Sequence, residues 1–396
     1  MKKSLKLISL TAMLIALAIV FGACGQNNET TTPTYGVEET TDGAEETPDV
    51  TDVADEPAAN ETPAVQAGEG FRIALVTDYG SVDDGSFNQG SWEGVVSFAE
   101  ASGISHTFFE PADQSDAEYI NAIELAVAAG AEVVVTPGFL FSSAIYQAQD
   151  MWPEVNFILL DTTPSLDGST RIEDNVVAVF YAEEQAGFLA GYAAVMEGYR
   201  SLGFMGGIPV PPVVRFGHGF VEGAEFAAQL LELEAGEVTI NYTYVMTFNP
   251  TPEVNTQAAA WFAAGTEVIF AAAGGAGFSV FSAAEDAGAT AIGVDMDQAH
   301  LSPTILTSAL KELSVSVHDM LDAHFAGNFP GGQIVNFDAS MNGIGLPMDT
   351  SRFEVFTQND YDLVFTELAN GSITVSTQMG IGPSELNVHL VVVNEV

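Results

Sequence analysis

Cysteine and basic residues are almost missing from this sequence of 396 residues. It has one cysteine, and nine Lys and Arg side chains stand against 54 Asp and Glu. A single cysteine excludes an internal disulfide, so core packing must hold the fold together. The net charge of -45 would repel a nucleic-acid backbone, and the chain lacks the cations that neutralise phosphates. We therefore expect no nucleic-acid partner.

Recognisable catalytic and cofactor motifs are also missing. The sequence contains no G-x-x-x-x-G-K-[ST], no H-E-x-x-H and no G-x-S-x-G. Its six histidines are scattered without metal-ligand spacing, and a calcium loop counted from Asp78 would place Gly80 and Val82 at ligand positions. The stretch GHGFVEG at 217–223 is one residue too long for the dinucleotide fingerprint and follows a proline-rich segment. The sequence therefore predicts no enzyme, no metal and no cofactor.

The N-terminus has the pattern of a targeting segment. Lys2, Lys3 and Lys6 precede an apolar run that ends at Phe21, and Gly22, Ala23 and Cys24 follow. This pattern predicts a secretory signal peptide over 1–23. The end of the segment resembles the lipobox of bacterial lipoproteins, which implies lipidation of Cys24 and a place on the extracytoplasmic face of the cell membrane. Phe21 stands where that motif prefers Leu, so ordinary signal-peptidase cleavage and an uncleaved membrane anchor stay open.

The following stretch is poor in large apolar residues. Residues 25–70 contain 12 acidic residues and no Lys or Arg, among many Thr, Pro and Ala. Such a composition cannot bury enough apolar surface to fold and repels itself. We predict a disordered acidic tether over 24–70.

From residue 71 onward, short apolar runs alternate with helical patterns. Continuously apolar strands such as FRIALV, EVVVTP and NFILLD, with helices between them, predict parallel sheets covered on both faces. The alternation occurs in two halves of similar size, so we predict an α/β fold with two doubly wound, Rossmann-like lobes and a cleft between them. Lobe one is predicted over 71–180 plus 308–330, and lobe two over 181–307 plus 331–396.

Ligands of such sheets bind beyond the carboxyl ends of the strands. Asp78, Asp161 and Asp295 each follow or end an apolar strand. A carboxylate can accept two ribose or sugar hydroxyls at once, although capping of a helix is the alternative role for Asp161 and Asp295. Phe87 lies in the polar loop 76–95, where an exposed ring is suited to stacking on a flat ligand, but the loop could also be a purely structural turn. Lys311 is either a surface lysine or a site residue that donates a hydrogen bond to a ligand oxygen or orients Asp295.

Several motifs together resemble one family. The stretch VTDYGSVDDGSFNQGSWEG is similar to the opening motif of the basic membrane protein family of bacterial lipoproteins, the purine nucleoside receptor type of ABC-transporter substrate-binding protein. The resemblance continues in order through FILLDTT, VVAVFYAEEQAGFLAGYAA, GFMGGIPVPPVVRFGHGFVEGA, VIFAAAGGAGFSVFSAAED, IGVDMDQ and TSALK. It spans about 71–350 and implies a fold of the type I periplasmic-binding-protein kind.

The resemblance also implies a set of ligand-binding residues. In that family two phenylalanines enclose a purine base, and they match Phe87 and Phe216. An aspartate that reads the base matches Asp161, and one from the opening loop matches Asp78. The ribose is held by residues that match Asp295, Lys311 and Gly275. The complete predicted ligand-binding set is Asp78, Phe87, Asn88, Asp161, Phe216, Gly275, Asp295 and Lys311.

The expected function follows from this resemblance. We expect a lipid-anchored monomer that captures a nucleoside, with purine nucleosides favoured, and delivers it to an ABC permease in the membrane. A binding protein for a sugar or another small polar solute is the alternative ligand class. A nucleoside sensor that is not coupled to transport and a nucleoside-hydrolysing enzyme are the alternative functions.

Overall fold

A computed structural model describes residues 71–396. The predicted signal peptide (1–23), the predicted tether (24–70) and Cys24 lie outside the described residues. The strands are β1 (Ile73–Val76), β2 (His106–Phe109), β3 (Val133–Pro137), β4 (Asn156–Leu160), β5 (Ser165–Leu166), β6 (Ser169–Thr170), β7 (Val176–Tyr181), β8 (Ser201–Gly206), β9 (Val238–Tyr244), β10 (Val268–Ala272), β11 (Thr290–Asp295), β12 (Ile305–Lys311), β13 (Gln333–Phe337), β14 (Ile344–Gly345) and β15 (Val391–Glu395).

Helices alternate with most of these strands. They are α1 (Phe87–Ser102), α2 (Asp116–Ala128), α3 (Ser142–Met151), α4 (Glu183–Glu197), α5 (Pro211–Leu230), α6 (Pro252–Ala263), α7 (Gly277–Ala287), α8 (Leu313–Phe325) and α9 (Gln358–Ala369). Among residues 71–396, no helix combines the length and the apolar character that crossing a membrane requires.

Two parallel sheets form the centres of two lobes. The sheet of lobe one has the strand order β13-β7-β4-β3-β1-β2, and all its pairs are parallel. The sheet of lobe two has the order β14-β12-β11-β10-β8-β9-β15, and within it only β14 is antiparallel to its neighbour. Central strands such as β1, β3 and β10 are buried over their whole length, as their unbroken apolar sequences predict for sheets covered on both faces. The predicted α/β class with two doubly wound lobes is confirmed.

The lobe boundaries differ from the predicted ones at two places. The sequence assigns 308–330 to lobe one, but residues 308–311 complete β12, which pairs with β11 in the sheet of lobe two. The sequence assigns 331–396 to lobe two, but β13 pairs with β7 in the sheet of lobe one. Pairing between strands that are distant in the sequence causes both differences, and hydrophobic periodicity carries no information about it.

The chain passes between the lobes through three segments of the described residues. It leaves the sheet of lobe one after β7, returns after β12 to form α8, which packs on α1, and leaves again after β13. The segments contact each other through backbone hydrogen bonds from Ala182 to Phe337 and from Glu312 to Gly343. Neighbouring crossings of this kind are where a hinge between two lobes lies.

Helix α5 begins earlier than the sequence predicts. The sequence predicts a helix near 219–234, after the proline-rich stretch 208–216, but α5 begins at Pro211. Proline is tolerated in the first turn of a helix because the backbone N–H that it lacks would have no partner there. The stretch GHGFVEG therefore lies inside a helix. A Cβ at Gly219 or Gly223 would overlap carbonyl oxygens of α4, and a Cβ at Gly187 or Gly191 of α4 would overlap those of α5. These glycines let the two helices pack backbone against backbone, so they serve packing and not a dinucleotide.

Candidate functional site

A cavity between the two lobes lies at the carboxyl ends of both sheets. The space between its walls, including the mouth that opens to solvent, is about 670 Å³. All eight residues that the sequence predicts for ligand binding lie on its wall, and they are Asp78, Phe87, Asn88, Asp161, Phe216, Gly275, Asp295 and Lys311. Residues more than 200 positions apart meet here because strand ends of doubly wound sheets converge at one edge.

The glycine-rich loop before α1 is organised by Asp84. Its two carboxylate oxygens accept hydrogen bonds from the backbone N–H groups of Ser86, Asn88 and Gln89 at 2.8–3.0 Å. These N–H groups belong to the start of α1 and would otherwise lack partners. The positive end of the helix dipole therefore faces a carboxylate of the chain itself, and this carboxylate would repel a phosphate here. Asp84 shapes the turn, while Asp83 is exposed.

Asp78 lies beside this loop, and its carboxylate lies close to Gly138 on the cavity wall. Its backbone N–H donates to Asn88 Oδ1 at 3.4 Å, and its Oδ1 accepts from the N–H of Tyr79 at 2.6 Å. A Cβ at Gly138 would collide with Asp78 Oδ2, and the φ of +122° at Gly138 also favours glycine. Burial raises the pKa of Asp78 to about 7, although the bond from Tyr79 opposes the shift. Asp78 is therefore a carboxyl group that can exchange a proton near neutral pH.

Two aspartates at strand ends have unusual backbone conformations. Asp161 follows β4 with φ +64°, and Asp295 ends β11 with φ +68°. Left-handed backbone at a residue other than glycine costs about 1 kcal/mol or more and persists where the surroundings impose it. One such residue stands at the corresponding position of each sheet, and in both cases the conformation places the carboxylate at the cavity.

Asp161 joins the two lobes through Lys311. Its Oδ2 accepts a hydrogen bond from Lys311 Nζ at 2.6 Å, and both side chains are buried. Its Oδ1 is buried and has no hydrogen-bond partner. Burial raises the pKa of Asp161, and the neighbouring Lys311 opposes this shift. A buried acceptor without a partner on the wall of a cavity is suited to a donor group of a ligand.

Lys311 belongs to a chain of buried charges that the sequence analysis missed. Its Nζ lies 2.9 Å from Glu183 Oε1, and Glu183 Oε2 accepts from Arg215 Nε at 2.6 Å. Glu183 begins α4, where an acidic residue is an ordinary helix-start signal, and Arg215 lies in the proline-rich part of α5 that reads as a loop. The scarcity of basic residues is the signal that could have identified Arg215, because each of the few cations in such an acidic chain is a candidate for a specific role.

Asp295 is held by a residue of the other lobe. Its Oδ2 accepts from Ser86 Oγ at 2.6 Å. A second bond between the lobes runs from Gln298 Nε2 to the carbonyl of Gly85 at 2.6 Å. Burial raises the pKa of Asp295 to about 6, with Lys311 and Ser86 opposing. Asp295 is therefore ionised above that pH and can accept hydroxyl groups there.

Aromatic rings from both lobes surround the ammonium group of Lys311. Its Nζ lies 4.8 Å from the ring centroid of Phe87 in lobe one and 5.5 Å from that of Phe216 in lobe two. Phe216 projects from α5 and also contacts Phe270 edge to face. Tyr79 and Phe248 form another aromatic contact between the lobes at 5.8 Å. The cavity thus combines aromatic faces with carboxylates and one ammonium group.

The arrangement has the character of a binding site. Residues 71–396 contain no cluster of three or more His, Cys, Asp or Glu side chains able to hold a metal ion. The cavity wall has four carboxylates, Asp78, Asp84, Asp161 and Asp295, against the single ammonium of Lys311. An anionic ligand would be repelled, whereas an uncharged ligand with a flat ring and several hydroxyl or N–H groups would find a partner for each part.

Comparisons with known proteins give a consistent result. The family model described as ABC transporter substrate-binding protein PnrA-like matches residues 71–378. The ABC transporter nucleoside-binding protein BmpA of Lactococcus lactis subsp. cremoris is 29% identical over 331 residues, covering 78% of this chain and 90% of that protein. Basic membrane protein A of Borreliella burgdorferi is 26% identical over 309 residues, covering 77% of this chain and 87% of that protein.

A similar fold occurs among solved structures. The crystal structure of an ABC transporter solute-binding protein from Aeropyrum pernix K1 has a TM-score of 0.68 at 24% identity, covering 78% of this chain and 94% of that one. A solute-binding protein from Conexibacter woesei has a TM-score of 0.62 at 21% identity, covering 78% and 99%. Both support the predicted periplasmic-binding-protein-like fold. Since the family model covers the described residues almost completely, the chain belongs to the PnrA-like family of ABC-transporter substrate-binding proteins, also called the basic membrane protein family.

Proposed function

We propose that this protein captures a nucleoside, with purine nucleosides favoured, in the cavity between its lobes and delivers it to an ABC permease. One observation carries the proposal. Phe87 from lobe one and Phe216 from lobe two lie on the wall of one cavity together with the unpaired acceptor of Asp161. A base between the rings would stack on both, and its N–H groups would satisfy that acceptor.

The polar groups of lobe two suit a ribose. Asp295 accepts hydroxyl groups when ionised, and Lys311 donates to hydroxyl or ring oxygens. Gly275 lies on the wall without a side chain, so the ligand can approach the backbone there. The relative named as a nucleoside-binding protein in Lactococcus lactis supports the same ligand class.

The charges of the cavity favour nucleosides over nucleotides. A phosphate group would meet the carboxylates of Asp78, Asp161 and Asp295, and Asp84 already occupies the N–H groups at the start of α1. We expect a monophosphate to lose most of the affinity of its parent nucleoside because the site supplies one cation against these charges.

A ligand screen tests the proposal. Purified protein is heated with guanosine, inosine, adenosine, cytidine, uridine, the free bases, the monophosphates, ribose and glucose, and titration calorimetry follows for each compound that raises the melting temperature. We expect purine nucleosides to give the largest shifts and monophosphates to give none. If ribose or glucose binds and no nucleoside does, the protein is a sugar receptor and the proposal is wrong.

Substitution of Phe87 tests stacking. Phe87→Ala should lower nucleoside affinity about 10-fold to 100-fold, because stacking of a base on an aromatic ring contributes about 1–3 kcal/mol. Phe329→Ala is the matched control, since Phe329 is also a partly buried phenylalanine but lies away from the cavity wall. Unchanged affinity in Phe87→Ala would contradict the proposed stacking. Release of free base from guanosine on prolonged incubation would instead indicate hydrolysis.

Attachment and transport are part of the same proposal. We propose that Cys24 carries the lipid that holds the chain on the extracytoplasmic face of the membrane and that the folded residues act as a monomer. Cys24→Ser should move the protein from the membrane fraction to the soluble fraction. Uptake of radiolabelled guanosine by cells with and without the protein distinguishes delivery to a permease from sensing without transport.

A further inference from the structure

The described residues contain very few cations, and two of them lie in one buried network. Twelve of the 54 acidic residues and three of the nine basic residues precede residue 71, which leaves 42 acidic and six basic side chains in the described part. Lys311 is buried and Arg215 is largely buried, and both contact Glu183. A third of the basic side chains of these residues thus serves a single site.

The network connects the cavity to two of the segments that cross between the lobes. Glu183 begins α4 directly after β7, and Lys311 ends β12 directly before α8. Arg215 reaches Glu183 from α5, which packs closely on α4. Glu183, Arg215 and Lys311 therefore all belong to lobe two, whereas Asp161, the other partner of Lys311, belongs to lobe one.

The charges explain how an ammonium group can remain at this wall. Burial alone would lower the pKa of Lys311, but Asp161, Glu183 and Asp295 raise it above its ordinary value. Burial alone would raise the pKa of Glu183, but Lys311 and Arg215 hold it below its ordinary value. Glu183 is thus an ionised carboxylate between two cations. The three groups carry one net positive charge, and Asp161 of lobe one lies 2.6 Å from the ammonium group.

We propose that Glu183 and Arg215 are positioning residues that hold the ammonium group of Lys311 at the cavity wall from within lobe two. The inference rests on the proposed function, in which Lys311 contacts the ligand. An ammonium group has three donors. Asp161 accepts a hydrogen bond from one of them at 2.6 Å, and the carboxylate of Glu183, 2.9 Å from Nζ, holds the group toward lobe two by its charge. The remaining donors can reach the ligand only while Glu183 fixes the position of the group. When the lobes separate, the bond to Asp161 breaks, but Glu183 and Arg215 keep Lys311 charged and in place for the next ligand.

Nuclear magnetic resonance of the lysine ammonium groups tests the first half of the proposal without any ligand. The ¹⁵Nζ signal of Lys311 is identified by its loss in Lys311→Met, and its protons exchange slowly with water because they are buried and hydrogen-bonded. Glu183→Gln should speed this exchange at least about tenfold, since local opening then exposes the group. Glu132→Gln is the matched control, because Glu132 pairs with Arg72 at the surface of lobe one. Unchanged exchange in Glu183→Gln would overturn the proposal.

A double-mutant cycle tests the second half, with guanosine as the probe. Glu183→Gln should weaken guanosine binding at least about tenfold when Lys311 is present and by less than twofold in the Lys311→Met background, because its effect passes through Lys311. Equal losses in both backgrounds would mean that Glu183 affects the fold and not Lys311, and the proposal would be wrong.

Further variants keep the outcomes distinguishable. Arg215→Gln leaves Glu183 and Lys311 paired and should give a smaller loss in the same cycle, so it replaces Glu183→Gln if that variant does not fold. If the unchanged protein fails to bind guanosine, the proposed function fails while the exchange experiment still decides whether Glu183 holds Lys311. If guanosine binds but the cycle is additive, the positioning role fails while the proposed function stands.

Discussion

The two halves of the cavity have similar parts and different electrostatics. Each lobe supplies one phenylalanine, Phe87 or Phe216, and one aspartate at a strand end with a left-handed backbone, Asp161 or Asp295. The cavity wall of lobe one has carboxylates and no basic side chain, whereas lobe two contributes Lys311. Closure of the lobes therefore brings a surface of negative charge against an ammonium group that Glu183 and Arg215 already hold.

This difference indicates how the two lobes of a very acidic protein can approach each other without strong electrostatic repulsion. Unpaired carboxylates on both sides would repel each other when the lobes approach. One cation in lobe two, bonded to Asp161 across the cleft, removes that repulsion where it is greatest. Lobe one can then keep Oδ1 of Asp161 free as an acceptor, because the charge of the group is balanced through Oδ2.

Removal of the ammonium group of Lys311 should cause the largest losses of stability and of nucleoside affinity. Lys311→Met leaves Asp161 buried without a cation and leaves Glu183 with Arg215 alone, so we expect the free energy of unfolding to fall by about 3–5 kcal/mol. Nucleoside affinity should fall at least about 100-fold, because a partner of a buried charge is lost. Urea denaturation and calorimetry measure the two effects. A stable variant with unchanged affinity would show that the two halves do not depend on Lys311.

Substitution of the two phenylalanines should have similar effects on nucleoside affinity but different effects on the stability of the protein. Phe216 is 2% exposed and contacts Phe270 in the core, whereas Phe87 is partly exposed at the cavity. Phe216→Ala should therefore lower the free energy of unfolding by about 3–5 kcal/mol, and Phe87→Ala should lower it much less. Both should weaken nucleoside binding. Equal stability losses would contradict the different burial of the two rings.

The sequence predicted the positions at this cavity better than the connections behind it. Asp78, Asp161 and Asp295 could be located because each ends an apolar run, and strand ends of parallel sheets converge. Glu183 was missed because an acidic residue at a helix start has an ordinary explanation, and its contact with Lys311 joins residues that are 128 positions apart. The lobe assignments of β12 and β13 were wrong for a related reason, since strand pairing depends on contacts that local patterns do not encode.

The carboxylates of lobe one should also give stability a dependence on pH. Burial raises the pKa of Asp78 from 3.8 to about 7, so the folded state binds this proton more tightly than the unfolded state. Its contribution to stability is then present below about pH 4 and is lost as pH rises to about 7. Asp78→Asn removes this loss. From pH 4 to pH 8, the free energy of unfolding of the variant should rise relative to that of the unchanged protein by about 1 kcal/mol or more. Urea denaturation at each pH measures this difference. A constant difference would show that the pKa of Asp78 is the same in the folded and the unfolded protein.

An ion pair at the surface should have the smallest effect, and it sharpens the contrast with the buried network. Arg72 and Glu132 approach to 2.6 Å, as closely as Arg215 and Glu183, but their side chains are 45% and 47% exposed. Water and salt screen such a pair, so Glu132→Gln should change the free energy of unfolding by less than about 1 kcal/mol. The same substitution at Glu183 leaves Lys311 and Arg215 buried without their shared carboxylate and should cost several times more. Urea denaturation of both variants at low and high salt checks this, because only the small effect at Glu132 should disappear in salt. Similar losses at the two positions would show that burial adds little to the stabilisation by the network.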